Sequence, residues 1–370
     1  MTSQLGRGMV AEEFLKGLND LKGLISVSID AVERGLIPDA ITRSAIRRLC
    51  EQRLRDSDRG NDIANERALQ AFVASMVAGP VAPVPDKANE QHYELPPEFF
   101  AAVLGPRRKY SSCFFPEESS SLAEAEDAAL AITCERAQLA DGQDILELGC
   151  GWGSLSLWMA ERYPRSRITA VSNSAPQRGF IEAEAAARGL ANLRVITADM
   201  NDFDPTQASR LRYDRVVSVE MFEHMRNYAK LLERIAGWLR PDGKLFIHIF
   251  CHRRFAYPFE TDGDANWMGR YFFTGGIMPS EHLLRRFDQH LKVTQQWRWN
   301  GQHYQRTSEA WLKNLDARRH DVLPILESCY GRAEARRWFH RWRMFFLAVA
   351  ELFGYANGEE WFVTHALLER

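Results

Sequence analysis

The sequence predicts an α/β fold with a doubly wound, mainly parallel sheet, preceded by a helical region. From residue 144 onward, short apolar runs alternate with amphipathic segments at a spacing typical of parallel strands joined by helices. A turn with glycines at 149, 151 and 153 follows the first apolar run and opens a helical segment. Strands are therefore predicted at 144–148, 167–172, 193–198, 213–219, 244–250 and 291–299. Helices are predicted at 119–137, 154–163, 175–188 and 227–239.

Bulk composition indicates a globular protein with no dominant electrostatic partner. Of its 370 residues 45% are hydrophobic and 26% are charged, and the formal net charge is −2. Such a charge gives no reason to expect nucleic acid or an anionic membrane as a partner. No apolar run approaches the roughly 20 residues that a membrane helix needs. The six cysteines show neither a CxxC pair nor a zinc-type spacing, so we expect a cytoplasmic protein with reduced thiols, no metal and no stable membrane insertion.

The region before the sheet divides into a helical part and a linker. Apolar residues recur at helical spacing through residues 1–78. Prolines at 80, 83 and 85 then exclude a regular helix. We therefore predict an N-terminal helical region at 1–78, a proline-rich linker at 79–91 and a main domain at 92–370. We place a substrate lid at about 252–345 within that domain, a span that includes the dense aromatic residues after the fifth strand.

The glycine-rich turn after the first strand predicts a cofactor site. Gly149, Gly151 and Gly153 allow a sharp bend and a close approach of the backbone to a ligand. Glu147 precedes them, and a carboxylate there would repel a pyrophosphate but pair with an α-amino group. This favours S-adenosylmethionine, whose methionine end carries an ammonium, over a dinucleotide. A purely structural turn would have to explain three glycines and a badly placed acid.

The next two strand ends supply groups suited to a nucleoside. The second ends near Asn173 and Gln177, which can bond ribose hydroxyls. The third ends at Asp199 and Met200, where a carboxylate can accept from an adenine amino group and a thioether offers a flat apolar contact. Taken singly, Asp199 suits a helix N-cap equally well. Three strand ends with fitting groups together favour the cofactor interpretation.

The fourth strand end predicts a reactive site. The motif Glu-Met-Phe-Glu-His at 220–224 follows a mostly apolar strand and brings Glu220, Glu223 and His224 within five residues. Such groups can position an amine, neutralise its ammonium form and accept its proton. The spacing is not that of the zinc motif His-Glu-x-x-His. Aromatic residues at 255–259 and 271–273 are either core or a cavity for a bulky apolar cation.

The chain resembles the coclaurine N-methyltransferases, within the wider group that includes the cyclopropane fatty acid synthases. The similarity runs from about residue 92 to the C-terminus and weakly through the N-terminal helices. It is carried by His-Tyr-Glu-Leu-Pro at 92–96, Tyr-Ser-Ser-Cys at 110–113, the turn at 147–153, the motif at 220–224, Tyr-Phe-Phe-Thr-Gly-Gly at 271–276, Phe-Gly-Tyr at 353–355 and Asn-Gly-Glu-Glu-Trp at 357–361.

The resemblance implies a seven-stranded, Rossmann-like class I methyltransferase fold with helical lid insertions. It implies N-methylation of a small aromatic or alkaloid-like amine by S-adenosylmethionine, and it is compatible with a homodimer. Tyr110 and Ser111 would close over the cofactor, beside the residues already named at the strand ends. The substrate side would be lined by further residues beyond the motif at 220–224, namely Glu94, His248, Phe273 and Tyr304.

Two alternatives remain. Cyclopropane synthases resemble this chain but typically have glycine at the position of Glu220, and a bicarbonate held partly by a cysteine where Ser112 stands here, one residue before Cys113. Three residues do match that bicarbonate cluster, namely Glu223, His248 and Tyr304. Glu220 and Ser112 favour an amine over an unsaturated phospholipid acyl chain. The second alternative, a cofactor-binding regulator without turnover, does not account for the intact motif at 220–224.

Overall fold

The structure, a computed structural model, describes residues 28–84, 95–206, 212–263 and 266–370. Its strands are β1 (Asp144–Leu148), β2 (Arg167–Ser172), β3 (Leu193–Thr197), β4 (Tyr213–Val219), β5 (Leu239–His252), β6 (Tyr257–Pro258), β7 (Ile277–Met278), β8 (Lys292–Trp299) and β9 (Trp361–Glu369). Its α-helices after residue 38 are α1 (Asp39–Ser57), α2 (Asp62–Val77), α3 (Pro97–Val103), α4 (Leu122–Arg136), α5 (Ser154–Arg162), α6 (Ala175–Ala187), α7 (Tyr228–Trp238), α8 (Trp267–Tyr271), α9 (Gln302–Ala317), α10 (Arg319–Tyr330) and α11 (Ala335–Gly354).

Seven strands form the main sheet in the order β3-β2-β1-β4-β5-β9-β8. The first five run parallel, whereas β9 is antiparallel to both β5 and β8. The predicted seven-stranded, mainly parallel sheet is therefore confirmed. The strand order reverses at β1, and ligands of open α/β sheets bind at the carboxyl ends of the strands near such a reversal.

The central strands of the sheet are buried along most of their length. All five residues of β1 are buried, as expected for a strand inside a parallel sheet. Helix α4 precedes β1 and starts with a capping box between Ser121 and Glu124, which satisfies amides at its N-terminus. Helix α5 begins directly after Gly153, so β1, the glycine turn and α5 form the predicted strand–turn–helix unit.

The strand β9 was not located by the sequence pattern. It lies between β5 and β8, and eight of its nine residues are buried. Strand β8 is then at an edge of the main sheet, so the predicted lid at 252–345 contains one strand of that sheet. That the parts of this span before and after β8 cover the site stays a prediction. Within those parts, β6 and β7 pair as a separate two-stranded sheet.

The N-terminal helices pack on the C-terminal ones. Arg43 on α1 forms ion pairs with Glu309 at 2.5 Å and with Glu351 at 2.8 Å. Arg47 reaches the other oxygen of Glu351 at 2.5 Å. After α2, the part of the predicted linker that the structure describes runs along the sheet, where the side chain of Asn201 bonds both the amide and the carbonyl of Ala82. Residues 85–94, including Glu94, lie outside the described residues.

Among the described residues, no helix is both long enough and apolar enough to cross a membrane.

Candidate active site

A cleft lies where the carboxyl ends of β1 to β4 meet. Each of the four strand ends contributes to its wall, as the sequence pattern predicts for a parallel sheet. The lining includes Gly149 and Gly151 after β1, Ser172, Asn173 and Gln177 after β2, Asp199 and Met200 after β3, and Glu220 and His224 after β4. The side chains predicted to bind a nucleoside therefore share one cleft with two of the three predicted catalytic residues.

Gly151 and Gly153 have different structural roles in the turn. Gly151 has φ +52°, and a Cβ added there would meet nothing within 4 Å, so its backbone faces open space at the cleft. Gly153 has φ +78° and caps α5, and its Cβ would lie 2.6 Å from Cγ1 of Ile181. Gly153 is therefore required for the left-handed turn and for the packing of α5 against α6, and it does not line the cleft.

Glu147 lies beneath the turn and does not line the cleft. Its side chain is only 2% exposed and accepts a hydrogen bond from the Ser156 hydroxyl. Burial raises the pKa of Glu147 to about 8, and the bond from Ser156 opposes that shift. A positively charged group next to such a buried carboxyl would stabilise its ionised form.

The second strand end presents an amide donor. The hydroxyl of Ser172 donates to Oε1 of Gln177 over 2.6 Å and fixes the orientation of that side chain. The Nε2 of Gln177 is buried and has no hydrogen-bond partner among the described residues. A buried unpaired donor is costly, so this amide is suited to a ligand oxygen.

The third strand end combines a turn with a ligand-facing surface. One carboxylate oxygen of Asp199 accepts from the amide of Asn201 at 2.8 Å, which stabilises the local turn. Asp199 also lines the cleft, together with Met200. The helix N-cap considered from the sequence is not observed, because the described residues that follow Asp199 form a turn and not a helix; Asp199 instead stabilises that turn and faces the cleft.

Glu220 is held by three donors at the end of the cleft. Its Oε1 accepts from the amide of Ser112 at 2.9 Å and lies 3.1 Å from Nε2 of His248. Its Oε2 accepts from the Tyr304 hydroxyl at 2.8 Å. Glu220 also has φ +47°, a left-handed conformation that is costly for a residue with a side chain. The surrounding hydrogen bonds must offset that cost.

Glu223 is a buried carboxyl without donors. It lies in the short 3₁₀ helix Phe222–His224 and is 1% exposed. Neither carboxyl oxygen has a hydrogen-bond partner among the described residues. Burial, followed by the neighbouring charge of Glu220, raises the pKa of Glu223 well above its ordinary value.

The two carboxyls therefore differ in ionisation. Burial also raises the pKa of Glu220, but the charge of Lys109, the Ser112 amide and the Tyr304 hydroxyl oppose that shift. Of two interacting acids, the one with donors ionises first. Glu220 is thus the more readily ionised acid of the pair, and Glu223 is the one that retains its proton.

His224 provides a neutral imidazole on the cleft wall. Its ring stacks on that of Phe273 with centroids 5.7 Å apart and an interplanar angle of 8°. Burial lowers the pKa of His224 to about 4, although the charge of Glu220 acts in the opposite direction. At neutral pH the ring is therefore uncharged and retains a nitrogen that can accept a hydrogen bond.

Besides Glu147, Gly153, Glu223 and Phe273, four more predicted residues lie away from the cleft wall. Tyr110 packs against Phe100 and Trp311, with centroids 5.5 and 5.6 Å away. Ser111 is buried and accepts a hydrogen bond from Lys109. His248 and Tyr304 contact the carboxylate of Glu220 rather than open space. That Tyr110 and Ser111 close over a cofactor stays a prediction.

Lys109 is a site residue that the sequence did not identify. It is buried, and its Nζ donates to the Ser111 hydroxyl and to the carbonyl of Ser112, both over 2.6 Å. These bonds fix the loop whose Ser112 amide reaches Glu220. The only signal in the sequence is its position next to the motif at 110–113. In that loop, burial raises the pKa of the Cys113 thiol to about 12, so it is not a thiolate.

Comparison with known proteins extends over nearly the whole chain. Residues 84–356 match the family model described as mycolic acid cyclopropane synthetase. The (S)-coclaurine N-methyltransferase of Thalictrum flavum subsp. glaucum is 38% identical over 94% of this chain and 97% of its own. The cyclopropane-fatty-acyl-phospholipid synthase of Escherichia coli K12 is 30% identical over 61% of this chain and 56% of its own.

Among solved structures, a coclaurine N-methyltransferase bound to N-methylheliamine and SAH superposes with a TM-score of 0.90 at 37% identity, covering 94% of this chain and 100% of that one. These similarities confirm the resemblance that the sequence motifs indicated. The chain belongs to the mycolic acid cyclopropane synthetase family and, within these cyclopropane synthase-related methyltransferases, to the group of the coclaurine N-methyltransferases.

Proposed function

We propose that the protein is an S-adenosylmethionine-dependent N-methyltransferase that methylates the nitrogen of a small aromatic or alkaloid-like amine of the coclaurine or tetrahydroisoquinoline type. One observation carries the proposal. The Glu220 carboxyl, held by donors that favour its ionised form, stands with His224 at the end of the cleft, where a cationic amine would meet the methyl donor. The near full-length similarity to enzymes named for such amines supports this substrate class.

The residues of the cleft fit S-adenosylmethionine, which supplies an electrophilic methyl group when bound. The backbone at Gly149 and Gly151 would receive its methionine end. Glu147 does not line the cleft, so its pairing with the ammonium of the cofactor stays a prediction. The unpaired Nε2 of Gln177 and the side chain of Asn173 would bond the ribose hydroxyls. Two further residues, Asp199 and Met200, would contact the adenine.

The residues after β4 then act on the amine. Glu220 attracts the ammonium form and stabilises the positive charge of the methylated nitrogen. His224, being neutral, accepts a hydrogen bond from the amine N–H and so orients the nitrogen lone pair. Glu223 keeps its proton while Glu220 is ionised, so in that state it cannot accept a proton from the amine, and its catalytic role stays a prediction.

The lipid alternative is less compatible with this geometry. In the cyclopropane synthases that the sequence resembles, His248, Tyr304 and Glu223 would surround a bicarbonate. Here His248 and Tyr304 are engaged by the protein's own Glu220 carboxylate. A bicarbonate would have to compete with that carboxylate for the same donors. The carboxylate of Glu220 thus supports methylation of an amine.

A cytoplasmic location remains part of the proposal. All six cysteines are free, and five of them are buried. Such thiols suit a reducing compartment. A homodimer is proposed only by analogy with the family.

The test is a methyl-transfer screen by mass spectrometry. The purified protein and S-adenosylmethionine are incubated with primary, secondary and tertiary aromatic amines, and in parallel with vesicles of an unsaturated phospholipid. We expect a gain of one methyl mass on at least one amine, and none on the lipid. Cyclopropanated lipid with no methylated amine would overturn the proposed function, and no turnover of any substrate would favour a binding protein.

A further inference from the structure

A line of hydrogen-bonded side chains runs from the protein surface to Glu220. Nη1 of Arg136, at the end of α4, lies 3.1 Å from Nδ1 of His365 on β9. Nε2 of His365 lies 2.8 Å from Nδ1 of His248 on β5. Nε2 of His248 lies 3.1 Å from Oε1 of Glu220. All four ring nitrogens of His248 and His365 therefore take part in these three hydrogen bonds.

The sheet itself produces this line. His248 and His365 are opposite each other in the antiparallel register of β5 and β9, so their side chains lie on one face. The amide of Glu220 donates to the carbonyl of His248 at 2.9 Å, which fixes the strand end beside that ring. Both histidines are fully buried, and the ring of Trp299 packs on each, with centroids 5.1 and 4.3 Å away. Water is thus kept from the two imidazoles.

Only one arrangement of protons satisfies every link. A guanidinium donates and never accepts, so Nδ1 of His365 must be an acceptor. Burial lowers the pKa of both histidines well below the ordinary value, so each ring is neutral and carries one proton. His365 then holds its proton on Nε2 and donates to Nδ1 of His248. His248 in turn holds its proton on Nε2 and donates to Glu220.

We propose that Arg136, His365 and His248 form a one-way hydrogen-bond chain that positions the Glu220 carboxylate as an anionic acceptor for the substrate amine. The inference rests on the proposed function, because it concerns the carboxylate that would receive the amine. The three residues are positioning residues, since none of them lines the cleft. His248 thereby has a role in place of the direct substrate contact that the family resemblance implied.

The direction of these hydrogen bonds determines whether a proton can move along them. A proton from Glu220 cannot leave along it, because its outer end is a guanidinium that cannot accept one. If His248 carried its proton on Nδ1 instead, the lone pair of Nε2 would face the carboxylate and repel it. Glu220 would then rotate away or bind a proton. The other groups that act on its charge are Lys109, Ser112, Glu223, His224 and Tyr304.

The direct test is the tautomeric state of the two histidines. The full-length protein is labelled with ¹⁵N-histidine, and two-bond ¹H–¹⁵N correlation spectra distinguish a proton on Nε2 from one on Nδ1. Signals are assigned by their loss in His248→Gln and His365→Gln. We expect both rings to be neutral with the proton on Nε2 wherever the protein is folded at and above neutral pH. An Nδ1 proton or an imidazolium at either residue would overturn the proposal.

A matched pair of variants at Arg136 tests the consequence for catalysis. Arg136 is only part-buried, so its replacement should be tolerated by the fold. Arg136→Met removes the donor that orients His365, whereas Arg136→Lys keeps a cation that can only donate. We expect Arg136→Met to lower kcat/KM for the amine about tenfold, with unchanged binding of S-adenosylmethionine by calorimetry, and Arg136→Lys to restore most of the loss.

Equal kcat/KM values for wild type and Arg136→Met would refute the positioning role. A loss that Arg136→Lys does not reverse would also refute it, because packing rather than proton direction would then explain the effect. The tautomer spectra require no amine. An inactive wild-type protein with both protons on Nε2 would therefore count against the proposed function and leave the direction of the chain supported.

Discussion

Replacing Glu220 by glutamine separates the charge of this side chain from its shape. The carbonyl of a glutamine can still accept from Ser112 and His248, and its amide can donate to the Tyr304 oxygen, so the local structure should persist. Only the negative charge is lost. The substitution therefore tests whether that charge binds and stabilises a cationic nitrogen.

The expected effect follows from the burial of the site. A carboxylate and an ammonium about 4 Å apart attract by about 4 kcal/mol at an effective dielectric constant of about 20. Since each ~1.4 kcal/mol is a factor of ten, Glu220→Gln should lower kcat/KM for the amine by up to about 10³-fold. The cofactor contacts lie at the other strand ends, so its affinity should change little.

The assay is steady-state methyl transfer to a saturable amine, with cofactor affinity measured by calorimetry. Asp144→Asn is a matched control. Asp144 is also a buried carboxylate, but it lies at the first residue of β1, away from the cleft, where it pairs with Arg167 and Arg240. That variant should lose stability and retain kcat/KM. A Glu220→Gln enzyme with the wild-type kcat/KM would refute the role given to the charge.

Three further predictions concern other residues of the site. His224→Asn should lower the rate about 10²-fold. The wild-type rate should rise with pH towards the pKa of the amine and show no inflection at the ordinary histidine pKa, because the pKa of His224 is lowered to about 4. An inflection in the pH–rate profile near 6.5 would contradict this. The pKa of Glu147 is raised to about 8 from an ordinary 4.5, so this residue binds more proton in the ligand-free folded state than in the unfolded state between these values. Its own contribution to thermal stability should therefore fall with rising pH across that window. Glu147→Gln should remove this contribution and weaken cofactor binding; a variant with the same pH slope as the wild type would contradict it. Gly153→Ala should cost about 1–3 kcal/mol in urea unfolding, since its φ is +78° and the new Cβ would meet Ile181, and a loss below about 0.5 kcal/mol would contradict the packing.

The sequence was sufficient for the sheet and the cleft because both depend on local patterns. Alternating apolar runs located six of the seven strands of the main sheet, and polar residues after four of them meet in one cleft. The strand β9 is buried along nearly its whole length and therefore lacks the alternation of polar and apolar residues that identifies a strand. Strand β1 is equally buried, but the glycine turn and the helix after it mark it as a strand, and β9 has no such signal.

The environment of Glu220 depends on contacts that no local pattern encodes. His365 meets His248 only through the register of two strands 117 positions apart in the chain, and Arg136 is 229 positions from His365. Lys109 is a single lysine without a motif, and its role follows from its burial. The different ionisation of Glu220 and Glu223 likewise depends on which of them receives donors in the folded protein, although both appear as equivalent acids in the sequence.

The most direct measurement of the central claim is a crystal structure of the protein with SAH and an N-methylated aromatic amine. The account predicts that the amine nitrogen lies in the cleft, within about 3.2 Å of a side-chain oxygen of Glu220 or a ring nitrogen of His224. It also predicts that the hydrogen bonds from His248 and Tyr304 to Glu220 are retained. An amine bound elsewhere, or an apolar portion of the ligand against Glu220 with its nitrogen in solvent, would contradict the account.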